Sequence, residues 1–134
     1  MEKDFIHIFI AEAEELLETL EINVLDLEKN KENPESINQV FRVMHTLKGT
    51  SDMFGFSPIR ELTHLLETLF DQIRTGEAIL SDKLLNLTFQ SIDHFRNLLK
   101  DSNLQIQNNK TTHQEILKNV GQLIPEDCYL LTDF

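Results

Sequence analysis

Residues 57–76 read Ser-Pro-Ile-Arg-Glu-Leu-Thr-His-Leu-Leu-Glu-Thr-Leu-Phe-Asp-Gln-Ile-Arg-Thr-Gly. Ile59, Leu62, Leu65, Leu66, Leu69, Phe70 and Ile73 recur every three or four positions, which gathers them on one face of a helix. Ser57-Pro58 reads as an N-cap followed by Pro in the first turn, where its missing N–H costs nothing. Arg74-Thr75-Gly76 reads as a stop, with a cation in the last turn and Gly just past it. A helix is therefore predicted over 58–75.

The same period runs outward in both directions. Upstream, Asn33-Pro34 opens a helix over 34–51 whose Ile37, Val40, Phe41, Met44 and Leu47 face a core, before Phe54-Gly55-Phe56. The first helix, 4–29, is capped by Asp4 and carries Phe5, Ile6, Phe9, Ile10, Ala13, Leu16, Leu17, Leu20, Val24 and Leu27. Downstream, Ser81-Asp82 opens a helix over 82–101 with Leu84, Leu85, Thr88, Phe89, Ile92, Phe95 and Leu99. A polar loop at 103–110 leads to a fifth helix over 112–123, ended near Pro125. Period-two alternation appears nowhere, so a sheet is excluded. Short loops between long amphipathic helices make neighbours antiparallel. The expected fold is all-α: an up-and-down antiparallel four-helix bundle with a fifth C-terminal helix, one domain over 1–124. Residues 125–134 form an extension or the start of a linker, and the stop in the apolar run 128–134 reads as a boundary inside a longer chain.

Composition narrows the function. The 134 residues are 26% charged and 40% hydrophobic, as in ordinary globular domains. The single cysteine, Cys128, rules out an internal disulfide and fits a reducing, cytoplasmic setting. No run approaches the roughly 18 apolar residues of a membrane span. The net charge is −11, and residues 1–36 carry 11 acids against 3 Lys, a balance of −8. Such a chain lacks the basic stripe of a nucleic-acid binder and is repelled by anionic lipid, so its partners are proteins.

The second helix holds an anomaly. His45 falls at the edge of the apolar face, where a side chain emerges into solvent, with Asn38 and Gly49 on the same strip. A glycine inside a helix costs about 1 kcal/mol relative to Ala. Clearance beside His45 for another protein would justify it. Lys48 lies next to His45, and Glu67 and His64 occupy the matching edge of the third helix. If the two helices pack antiparallel, Glu67 fixes one imidazole nitrogen and makes the other a better nucleophile. Lys48 then stabilises negative charge arriving there, as a phosphoryl group would bring.

These residues carry a resemblance. Val40-Phe41-Arg42-Val43-Met44-His45-Thr46-Leu47-Lys48-Gly49, with Phe54-Gly55-Phe56, Thr63-His64-Leu65-Leu66-Glu67 and Arg74-Thr75-Gly76-Glu77, resembles the histidine phosphotransfer (HPt) family. More narrowly, it resembles the N-terminal phosphotransfer domain of CheA-type chemotaxis histidine kinases, over about residues 5–100. The resemblance implies that His45 is the phosphoacceptor, with Glu67 on its imidazole and Lys48 and His64 around it. It also implies an ATP-binding kinase domain, of the same or a partner chain, as donor, and an aspartate of a response-regulator receiver domain as acceptor. Asn38, Arg42, Gly49 and Asp52 would form the docking surface. Thr50 and Asp52 depart from the small residues usual after that glycine. The domain would be a carrier with no cofactor of its own, since Gly49, Gly55, Gly76 and Gly121 are scattered and make no nucleotide loop; the parent chain would be a histidine kinase. A stand-alone carrier is the alternative. A metal-binding bundle is a rival, because Glu61-Leu62-Thr63-His64 fits a Glu-x-x-His half-site, but no second half-site exists. His7, His94 and His113 read as structural or solvent-facing.

Overall fold

The computed structural model describes residues 2–125, with side chains from Phe5 onward. Cys128 and the apolar segment 128–134 lie outside the described residues. The helices are α1 (Glu2–Lys29), α2 (Pro34–Met53), α3 (Ser57–Arg74), α4 (Asp82–Leu98) and α5 (Gln107–Gly121). Among the described residues there is no strand, and no helix is long and apolar enough to cross a membrane. Helix α1 packs on α2 and α4, α3 packs on the same two, and α5 lies across α3 and α4. That is the expected up-and-down four-helix bundle with a fifth helix beside it.

Three of the sequence signals act as read. Asn33 Oδ1 accepts from the Glu35 and Ser36 amides (3.1 and 3.4 Å), and Ser81 Oγ accepts from the Leu84 amide (3.1 Å). Each satisfies donors that a helix start leaves open. Gly76, at φ +82°, closes α3 while the Glu77 amide donates to the Gln72 carbonyl at 2.8 Å. Gly55, at φ +79°, does the same after α2, with the Phe56 amide donating to Ser51 O at 2.8 Å. Both are Schellman endings, which need a left-handed residue that glycine adopts without strain.

Other boundaries move. Helix α1 is already helical from Glu2, so Asp4 lies inside it and is not its cap. Phe56, not Ser57, is the N-cap of α3, and Ser57 makes no capping bond. The reason is the Schellman turn, which pins Phe56 to the end of α2 so that α3 starts at once, with Phe56 O accepting from the Arg60 amide at 3.1 Å. Helix α2 runs two residues past the expected end, to Met53, and α4 stops three residues early, at Leu98. Helix α5 begins at Gln107, inside the expected loop, because Asp101 reaches across the connection. Its carboxylate accepts from the Gln105 amide (2.8 Å), the Ile106 amide (3.0 Å) and Asn109 Nδ2 (3.2 Å). Burial pushes this carboxyl up, but those donors together hold it below the usual range. Leu104, inside the connection, sits in the left-handed region at φ +53°, at a cost of roughly 1–2 kcal/mol.

The core is continuous from Phe9, Ala13, Leu17 and Leu20 of α1 through Val40, Met44 and Leu47 of α2 to Leu62, Leu66 and Phe70 of α3 and Ile92 and Phe95 of α4. Burying each large side chain contributes roughly 1.5–3 kcal/mol. Phe54 and Phe56 pack on Phe9, with ring centroids 5.1 and 4.8 Å away, and so fasten the α2–α3 turn to α1. Phe5 and Ile6, assigned to the apolar face by period, are exposed.

Candidate functional site

Helices α2 and α3 form a hairpin around Phe56. His45 and Glu67, 22 residues apart, flank that turn symmetrically and therefore sit level on the two helices. Val40, Met44 and Leu47 bury the inner face of α2. Its outer strip, Asn38, Arg42, His45, Gly49 and Asp52, is exposed throughout. The spacing of three and four residues that sequence reading assigned to a docking surface is thus a single stripe.

The His45 side chain is 66% exposed, and its Nδ1 lies 3.0 Å from Glu67 Oε1, on a carboxylate only 15% exposed. A carboxylate accepts, so Nδ1 carries the proton and the Nε2 lone pair is free of this contact. Lys48 Nζ is 2.7 Å from Glu67 Oε2, an ion contact that is off the line of a hydrogen bond. One carboxylate on α3 therefore holds both chemical side chains of α2. The arrangement holds one ring nitrogen of an exposed imidazole on a carboxylate and leaves the other nitrogen clear of it, with a cation nearby.

His64 is half-buried one turn before Glu67 and makes no side-chain hydrogen bond or ion pair among the described residues. Thr50 turns its hydroxyl back onto the Thr46 carbonyl at 3.0 Å, so its polar group is spent within α2. Asp52 is paired with Arg60 at 3.2 Å across the α2–α3 turn. A Cβ added at Gly49 would meet nothing within 4 Å, so packing inside the molecule does not require a glycine there.

Two further residues belong to this neighbourhood. The Phe41 ring lies nearly parallel to the His45 imidazole, 21° between planes and 6.3 Å between centroids. The Arg74 guanidinium sits over Phe41, 4.5 Å from its centroid, and is also paired with Asp71. By period alone Phe41 reads as core, and Arg74 reads as a helix stop and as part of the Arg74-Thr75-Gly76-Glu77 motif, with no link between the two. The available signal was the four-residue step from Phe41 to His45.

The remaining histidines fall elsewhere. His7 is exposed, whereas His94 and His113 are buried against each other, His94 Nε2 to His113 Nδ1 at 2.8 Å. Glu61, half of the suspected metal motif, approaches His113 Nε2 at 3.5 Å. Among the described residues no three His, Cys, Asp or Glu side chains gather as a metal site.

Comparisons with known proteins place the chain in a family. The Hpt domain family model matches residues 4–109. The chemotaxis protein CheA of Salmonella typhimurium is 40% identical over 90 residues, 67% of this chain and 13% of the relative. CheA of Listeria monocytogenes is 32% identical over 123 residues, 92% of this chain and 19% of the relative. The chain thus spans less than a fifth of the length of these curated relatives. A solved CheA phosphotransferase domain from Thermotoga maritima matches with TM-score 0.70 and 36% identity, covering 73% of this chain and 93% of that one. With a match that runs from the first turn of α1 into the first turn of α5, the chain belongs to the histidine phosphotransfer (Hpt) domain family.

Proposed function

We propose that this chain is a phosphocarrier, in which Nε2 of His45 takes a phosphoryl group from ATP held by a separate kinase domain and passes it to an aspartate of a response-regulator receiver domain. The observation that carries this reading is the bond from His45 Nδ1 to Glu67, which leaves Nε2 as the available nitrogen on an exposed side chain. The Nε2 lone pair attacks the γ-phosphorus and ADP departs. The ring takes on positive character, which the Glu67 carboxylate stabilises through Nδ1–H, while Lys48 offsets the arriving negative charge. In the second half, the receiver carboxylate attacks phosphorus and the N–P bond breaks, returning neutral imidazole. His64 supports the site from α3, and Asn38, Arg42, Gly49 and Asp52 contact the partners. The kinase domain is part of the same chain or of a partner, and the setting is the cytoplasm. The domain holds no cofactor of its own.

The test is direct. Incubated with a CheA-type kinase core and labelled ATP, the protein should gain acid-labile, base-stable phosphate and lose it to a receiver domain. His45→Gln should abolish that product entirely. Phosphate that survives in His45→Gln and still reaches a receiver aspartate would overturn the assignment.

A further inference from the structure

The layered arrangement of Arg74, Phe41 and His45 has no part in the bond-making steps above. Phe41 is half-buried one turn before His45 on α2, and its ring lies within the 4.5–7 Å range in which aromatic pairs attract. Arg74 lies well inside the roughly 6 Å reach of a cation over a ring. Its guanidinium is anchored in turn by Asp71, one turn earlier on α3. A planar guanidinium can lie over the ring while its edge N–H groups serve the carboxylate.

The hydrogen bond to Glu67 fixes one atom of the imidazole. The ring still hinges about that contact, and every degree of tilt swings the Nε2 lone pair, which lies in the ring plane. An in-line attack on phosphorus depends on that direction. A nearly parallel ring one turn away opposes the tilt, and Arg74 keeps that ring in place from the other helix. We propose that Phe41 is a positioning residue for phosphoryl transfer at His45, and that Arg74 acts through Phe41 by holding its ring. The inference rests on the phosphocarrier reading and adds to it the device that orients the nucleophile.

Three single variants and one double variant test it, with kcat and KM measured separately for phosphorylation by the kinase core. Phe41→Leu keeps apolar bulk and loses the ring; kcat should fall about fivefold, the scale of freeing one side-chain rotor at a reacting group, with KM within about twofold. Phe41→Tyr keeps the ring and should stay within about twofold of the parent. Arg74→Gln should lower kcat about twofold, and Phe41→Leu with Arg74→Gln should be no slower than Phe41→Leu alone, because both act through one ring. The His45 ring-proton resonances should move in Phe41→Leu and hold in Phe41→Tyr. An unchanged kcat in Phe41→Leu, a rise in KM alone, or additive losses in the double variant would each overturn the proposal. Should Phe41→Leu fail to fold, Phe41→Tyr and Arg74→Gln still decide it, through an unchanged kcat in Arg74→Gln or a large loss in Phe41→Tyr. Parent protein that takes no phosphate would sink the phosphocarrier reading and this inference together; phosphorylation that ignores Phe41 sinks this inference alone.

Discussion

His45 on α2 stands 66% exposed with one ring nitrogen on a carboxylate, whereas His94 on α4 is 1% exposed with one ring nitrogen on another imidazole. The side chain is the same, and the surroundings give it opposite work. Against a carboxylate at the surface, the ring has a defined proton and a nitrogen left over for chemistry. Inside the α4–α5 contact, desolvation and then the neighbouring His113 hold His94 at about 4. Desolvation likewise lowers His113, against the opposing pull of Glu61. The interior pair therefore stays neutral and shares a hydrogen bond, tying α5 to the bundle. His94 Nδ1 and His113 Nε2 lack hydrogen-bond partners among the described residues, which makes the tie costly to charge.

That contrast can be broken in three places. The largest effect is on stability against pH. Both interior values lie below that of a free imidazole, so the unfolded chain binds more protons across the interval between them. Stability should be complete above about pH 6.5 and fall as pH drops towards 4. Urea unfolding should show a loss of about 2 kcal/mol between pH 7 and 4.5, beyond that of a His94→Gln, His113→Gln variant. Equal pH dependence in the two proteins would mean that the buried pair titrates like any surface histidine.

At the exposed site the effect is on rate. Glu67→Gln keeps an acceptor for Nδ1–H and removes the charge, so phosphorylation of His45 should slow about tenfold. Thermal unfolding should stay within about 0.5 kcal/mol of the parent, as for other partly exposed polar changes. A collapse of stability instead would make Glu67 a structural tie like His113. The smallest effect sharpens the contrast from another side. Gly49→Ala meets no atom in the molecule and should stabilise α2 by about 0.5–1 kcal/mol, measured by denaturant melts. Phosphotransfer to and from its partners should nevertheless slow, because the added methyl sits on the strip beside His45. A variant that gains stability without losing transfer rate would remove Gly49 from the docking surface.

The bundle was legible because its signals are local. Asn33-Pro34, Ser81 and Gly76 each act within one turn, and the apolar period of α2 and α3 needs no knowledge of neighbours. The trio His45, Lys48 and Glu67 was legible for a related reason: a tight hairpin turns sequence offset into spatial level. What escaped depends on longer reach. The start of α5 is set by Asp101, whose acceptors serve Gln105, Ile106 and Asn109 over a polar stretch that reads as loop. The His94–His113 pair joins two helices over 19 residues, and neither residue carries a local cue. Phe41 looked like core by period and proved to be a half-buried bridge between Arg74 and His45.

The hairpin around Phe56 also decides which insertions and deletions the molecule tolerates. Both halves of the reactive pair belong to that one local unit, so only a short loop must close before they meet. One residue added beside Gly55 would break the turn's closing bonds, from the Gly55 amide to Asp52 O and from the Phe56 amide to Ser51 O, and with them the fixed start of α3 that sets Glu67 level with His45. The connections at either end of that unit are free of this constraint, since lengthening them moves α1 or α4 without changing which residues of α2 and α3 stand level. Length variation among such chains should therefore collect outside the Gly55 turn and spare it.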